Sequence, residues 1–431
     1  MDKRRMFCVA RAALAAAFAV CAGGLVTAQT GNGPERPPVL YVAGNELDAA
    51  TVWKIDGSRV TPIPLAGGKR YSKAEGIAES GGSIYVAGYE YNSGAMVWKI
   101  DGSRVTPIPL TDGTRESSAR AIVESGGGGP GLGPERPPVL YAAGYEESGP
   151  WIAPKVAMVW KIDGSTVTPI PLTDGTDDSI VRDIVESGGS IYAAGDEGNA
   201  AMVWKIDGST ITPTPLPVIE GGTTGVLGIV ESGGSIYAVG NRTPFIRVDP
   251  SITMVWKIDG SGVTPIPLTD EMRDARAEAV IESAGSIYVA GYERDSGGRV
   301  WKIDGSTVTR SIALSGETRE TSARAIVESG GSLYAAGVEK AGGSLAVRVW
   351  KIDGSTVTAI PLTDGEWYSG VEGIAESGGS IYAAGSERAT ALVWKIDGFR
   401  VTPIPLTDGT RESSASGIVE SEASGVIVHR E

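Results

Sequence analysis

Side chains able to do acid–base or covalent chemistry are few in this 431-residue chain. Its single histidine, His429, lies two residues from the end, and its only cysteines are Cys8 and Cys21. No histidine triad, imidazole base or Cys/His metal site can therefore be built in the body of the chain. Carboxylates remain. Asp112, Asp174, Asp270, Asp364 and Asp408 recur in loops that begin Thr-Asp, and Glu90, Glu146, Glu339 and Glu387 follow a repeated tyrosine segment. Carboxylates in pairs cleave glycosidic bonds or hold Ca²⁺. The plainer reading is that Asp before Gly, repeated along a chain, forms turns.

Which reading holds depends on the elements that place these acids. Met96 to Leu110, MVWKIDGSRVTPIPL, recurs in eight versions headed by Trp53, Trp98, Trp160, Trp204, Trp256, Trp301, Trp350 and Trp394. Val97 to Ile100 have strand character, and Asp101-Gly102 supplies a two-residue hairpin turn. In the strand that follows, Pro107 and Pro109 remove two backbone donors from one side, so the strand must be an edge. The proline pair recurs at Pro62/Pro64, Pro169/Pro171, Pro213/Pro215, Pro265/Pro267 and Pro403/Pro405; the repeat at Trp301 lacks it and the repeat at Trp350 keeps only Pro361.

Upstream of each tryptophan stands a SIYAAG-like strand centred on Tyr41, Tyr85, Tyr141, Tyr192, Tyr237, Tyr288, Tyr334 or Tyr382. A short apolar strand of the Gly76-Ile77-Ala78 kind precedes it. Four strands per unit and tryptophan spacings of 44 to 62 residues predict an all-β propeller of eight four-stranded blades. The repeated tryptophans and tyrosines are then blade-to-blade packing. The chain enters at a tyrosine strand, Val39 to Gly44, and leaves on a first strand at Gly417-Ile418-Val419, so both termini complete one blade.

GIAES-GGSIYVAG followed by VWKIDG resembles NHL-type propeller repeats, of the kind found in exported bacterial proteins, and the likeness runs from Val39 to Val428. It implies the fold and leaves the activity open. Propeller lyases of similar appearance use histidines or metal ligands, which this chain lacks, so the resemblance implies no catalytic set. One alternative architecture follows from GPERPPVLY, which occurs at Gly33 to Tyr41 and again at Gly133 to Tyr141. Residues 126–138 would then join two appended units to a six-bladed ring.

Residues 1–28 read as a secretory signal: Lys3, Arg4 and Arg5, an apolar run from Ala12 to Val26, and a small-residue cleavage site ending at Ala28. The run is too short and small-residued for a membrane span. Arg4-Arg5-Met6-Phe7 also fits twin-arginine export, and Cys21 offers a lipid tether, although Val20 suits that poorly. Residues 29–38 form a lead and 39–431 the propeller. The net charge is −14, and a leader carrying Asp2 against Lys3, Arg4, Arg5 and Arg11 is a net +3, which leaves −17 on the mature chain. Such a balance disfavours nucleic acid and anionic lipid as partners.

Strand order places the ESGGS and IDGS turns, nearly the same in every repeat, on one face. The loops of the other face diverge. Tyr71, Trp151, Phe245, Arg247, Asp249, Trp367 and Tyr368 fall there, off the repeat register, and are the candidate ligand contacts. The simpler reading of each is an aromatic folded back on the ring. The expectation is an exported monomeric module, with no cofactor or metal, that binds a protein, peptide or glycan through the divergent face. A carboxylate hydrolase or lyase and a repetitive surface-display protein are the alternatives.

Overall fold

A computed structural model describes residues 6–12, 17–23, 38–67, 71–125, 139–149, 153–217, 222–244, 251–269, 274–294, 296–315, 321–341, 344–365 and 369–421. Eight antiparallel sheets follow one another, seven with the chain order inner, second, third, outer and the first with its inner strand taken from the end of the chain. Blade 2 is representative: Ser72–Ser80, Ser83–Glu90, Gly94–Asp101 and Arg104–Pro109. The proline strand is outermost in every sheet that carries it, as missing donors require. Trp98 lies opposite Pro107 and Met96 opposite Pro109 across the hairpin. In the repeat without the proline pair, Thr307–Ala313, the ladder shifts register between Lys302 and Ile303, and Arg310 Nη1 reaches across to donate to the Gly354 carbonyl at 3.0 Å.

All eight repeat tryptophans are essentially inaccessible. Each packs against the blade before it: Trp160 joins Tyr85, Ala87 and Val97, and Trp53 joins Tyr382, Ala384 and Val393. Apolar area is thus buried between sheets, blade by blade, and no single blade holds a core of its own. A polar latch reinforces the same seams. Ser117 Oγ accepts the Ala95 amide of the preceding blade at 2.8 Å, Ser179 that of Ala157 at 2.8 Å, and Ser72 that of Ala50 at 2.8 Å. Each serine gives a buried amide an acceptor, and Ala157 also has Thr173 Oγ1 at 3.2 Å.

Blade 1 is completed from both ends of the chain. Val39–Glu46 pairs with Ser413–Ser421, with Val42 opposite Ile418 and Glu46 opposite Ser413. Its latch is the same as elsewhere, Ser413 Oγ accepting the Ala391 amide at 2.9 Å.

The alternative of six blades with two appended units is overturned. Residues 126–138 lie outside the described residues, but the strands flanking them, Ser117–Ser125 and Val139–Glu147, are hydrogen-bonded neighbours in one blade. That segment is an insertion within a blade and not a joint between bodies. The expectation for the innermost strands also needs correcting. They begin four residues earlier than the apolar triplet suggests, at Ser72 and not Gly76, because a β-bulge breaks the alternation there. Within the expected leader, residues 6–12 and 17–23 form an antiparallel hairpin, and Arg11 and Ala12 pair with Ile326 and Ala325 of an inner strand.

Candidate functional site at the channel mouth

Inner strands start at the divergent face and run toward the uniform one, so their first residues frame one mouth of the ring. In every blade a single residue bulges out of the ladder near that mouth. These residues are Glu75, Arg120, Arg182, Leu227, Glu278, Arg324, Glu372 and, in the closing blade, Ser416. Opposite each bulge stands the glycine that ends SIYAAG. In blade 2 a Cβ on Gly88 would lie 2.0 Å from the Lys73 carbonyl oxygen, and the other seven glycines are equally tight. The glycine lets the bulge close, and the bulge takes one side chain per blade out of the strand's two-residue alternation.

Neighbouring bulge residues interact around the ring. Arg324 Nη1 donates to Glu372 Oε1 at 2.6 Å, and Arg120 Nε stands 3.9 Å from Glu75 Oε2. Others pair within their own blade, Arg182 with Asp196 at 2.7 Å and Glu278 with Arg276 at 3.0 Å. A second circle lies just outside: Tyr89, Tyr145, Asp196, Asn241, Tyr292, Val338, Ser386 and Asn45, each paired with an inner-strand residue beside the bulge. Tyr145 donates to Glu116 Oε1 at 3.1 Å, and the Lys155 ammonium sits 4.7 Å from its ring centre. Burial, with Glu116 beside it, pushes the Tyr145 hydroxyl well above its ordinary value.

Burial also raises the Glu278 and Glu372 carboxyls, against the opposing pull of Arg276 and Arg324 respectively. A carboxyl with a higher pKa folded than unfolded contributes stability below the ordinary carboxylate range, and that contribution is lost as pH rises through the folded value. Glu278→Gln, neutral throughout, is therefore expected to gain stability relative to the parent as pH rises from the ordinary glutamate range upward. Thermal melts of both proteins across that range check it, and a pH-independent difference counts against it.

The acids singled out in the sequence do other work. Asp112 Oδ1 accepts the Thr114 amide at 2.9 Å and its hydroxyl at 2.6 Å, and Asp174 and Asp408 repeat the arrangement with Thr176 and Thr410. These bonds hold all three carboxyls below their ordinary value and make them turn formers. Asp364 is described without such a partner, and Asp270 lies outside the described residues. Glu339 is paired with Arg348 at 3.1 Å, and burial raises Glu146. Among the described residues no cluster of three or more His, Cys, Asp or Glu is arranged to hold a metal ion.

Of the seven expected ligand contacts, Trp151, Phe245, Arg247, Asp249, Trp367 and Tyr368 lie outside the described residues. Tyr71 is described and is 62% exposed, with its backbone in the left-handed region at φ 63°. Its ring meets that of Tyr91, 64% exposed, edge-on at 5.8 Å. Tyr91 went unnoticed in the sequence, although it too stands off the repeat register. The bulge residues went unnoticed as well; their signal was the one position before the apolar triplet whose charge changes from repeat to repeat.

No family model and no curated protein matches this chain; the propeller fold is shown, and an NHL-type repeat is not. Among solved structures, apo AztD from Citrobacter koseri aligns over 90% of this chain and 98% of its own, at 13% identity and a TM-score of 0.53. A puromycin-hydrolysing peptidase of Mycobacterium tuberculosis aligns over 78% of this chain at 14% identity and a TM-score of 0.46; the chain spans 52% of that protein's length. YCF48 bound to D1 peptide aligns over 77% of this chain and 93% of its own, at 10% identity and a TM-score of 0.42.

Proposed function

We propose that this chain is an exported, monomeric eight-bladed propeller that binds a protein or peptide segment at the channel mouth of its divergent face. One observation carries the reading: repeats that agree at nearly every packed and turn position differ in charge and size at the bulge and at the residues beside it. A ring needs no such divergence for stability, since these positions stand outside the alternation that packs one blade on the next. The exposed Tyr71–Tyr91 pair adds an apolar contact on the same face. Acids locked into turns and ion pairs favour binding over carboxylate catalysis. Export rests on the basic head and apolar run of residues 1–28, whose removal would take the paired strands 6–12 and 17–23 away from the inner strands.

The test compares baits made from the mature chain. Tyr71→Ala with Tyr91→Ala is expected to weaken capture of the partner from the native host's envelope by tenfold or more. Phe399→Ala, which removes a side chain 68% exposed in a turn of the uniform face, is expected to leave capture unchanged. The opposite pattern would move the site to the uniform face.

A further inference from the structure

The channel mouth is not equally filled around its circumference. Where blade 2 places Lys73 beside Tyr89 and blade 6 places Arg276 beside Tyr292, blade 8 places Gly370 beside Ser386 and blade 1 places Ser414 beside Asn45. Small residues in two adjacent blades leave a hollow of about 490 Å³ open to solvent. Among the described residues its walls carry three carboxylates, Asp48, Glu372 and Glu412, and one cation, Arg324. That cation is already spent on Glu372 at 2.6 Å. Among the described wall residues Asp48 and Glu412 therefore have no cation of the wall opposite them.

A separate observation points the same way. Ser369, 7% exposed, stands on the wall of the hollow, and its Oγ has no hydrogen-bond partner among the described residues. In blades 1 to 4 the serine at this position is the latch that accepts an amide of the preceding blade, whereas blades 5, 6 and 7 carry Thr224, Ala275 and Thr321 there. Here the corresponding amide, that of Val347, is taken by Thr363 Oγ1 at 3.0 Å, so the Ser369 hydroxyl is left over as an acceptor. Buried hydroxyls without partners are uncommon, and one bordering a cavity is available to a guest. The hollow also adjoins the exposed aromatic pair, since the Asp48 carbonyl accepts the amide of Ser72, the residue after Tyr71, at 2.9 Å.

We infer that the hollow between blades 8 and 1 receives a basic side chain, lysine or arginine, from the bound segment, with its cationic head among Asp48, Glu412 and Ser369 and its stem toward Tyr71. The volume suits one long side chain with its residual water and excludes a folded element. An aliphatic stem can cover a tyrosine while its charged end reaches carboxylates. Burial of Glu372 makes a nearby cation more favourable still. The inference rests on the mouth being the binding face.

The experiment uses the mature chain and short Gly/Ser peptides that carry one central Lys, Arg, Gln or Glu, followed by ligand-observed NMR at physiological salt. Lys and Arg peptides are expected to show saturation transfer concentrated on the basic side chain, at least fivefold above Gln and Glu peptides. Asp48→Asn with Glu412→Gln is expected to remove most of that transfer. Both substitutions keep shape, and asparagine tolerates the φ of 60° at residue 48. Glu186→Gln with Glu231→Gln on the uniform face is expected to change nothing. Equal loss from both pairs would reduce the effect to diffuse attraction, and transfer to no peptide or to all alike would overturn the inference. Partner capture that depends on Tyr71 and Tyr91 while lysyl peptides fail to bind would retain the mouth and discard the basic anchor.

Discussion

Gly88→Ala is expected to destabilise the ring by about 3 kcal/mol, the upper end of what overpacking a core costs. The added methyl would stand 2.0 Å from the Lys73 carbonyl oxygen, 3.0 Å from its carbon and 3.0 Å from Trp98 Cζ3. Two of these neighbours are backbone held by the ladder, and the third is a fully buried indole, so none can step aside. Relief requires the bulge at Glu75 to open or blade 2 to shear. Gly102→Ala is the matching control: nothing lies within 4 Å of its Cβ, and only the φ of 64° opposes it, at about 1–2 kcal/mol. Urea midpoints of the two variants measure the difference. Equal losses at both sites would mean that the close approach at the bulge has no energetic weight.

Truncation after residue 411 is expected to abolish cooperative folding. The shorter chain lacks Ser413–Ser421, the inner strand of blade 1. It loses the pairing of Val42 with Ile418 and the latch from Ser413 to Ala391, and it exposes the surfaces that buried Ala415, Ile418 and Val419. Burying the two larger side chains alone contributes about 4 kcal/mol, a large share of the roughly 5–15 kcal/mol that holds an ordinary domain. The loss also falls at the one place where the ring is not continued by the chain itself. A sharp two-state melt in the shorter protein would show that seven blades and a fragment close without this strand.

Much of this architecture was legible in the residues because its causes are local and repeated. Asp101-Gly102 announces a hairpin, Pro107 and Pro109 announce an edge, and Trp98 at a spacing near 45 residues announces a stack of like sheets. The site was harder to see for physical reasons. Glu75 and Arg120 interrupt the period-two pattern, so the strand seemed to begin after them, when in fact the interruption is the bulge. The hollow has no motif at all. It consists of what Gly370, Ser386 and Ser414 fail to fill, and it brings together Asp48 and Arg324, which are far apart in the chain and adjacent only after the ring closes. The duplicated GPERPPVLY misled because a repeated phrase suggests a boundary, whereas strand pairing across residues 126–138 makes it an insertion.

The tryptophan contact recurs at junction after junction, and the serine latch at four of them, the closing one included. A blade therefore meets much the same partner surface wherever it stands in the order. Exchange between near-identical repeats in the gene would reshuffle which bulge charges stand side by side while leaving the junctions as they were. Selection acting on such a protein can permute a recognition surface by moving whole blades, without first having to find compensating changes in its interior.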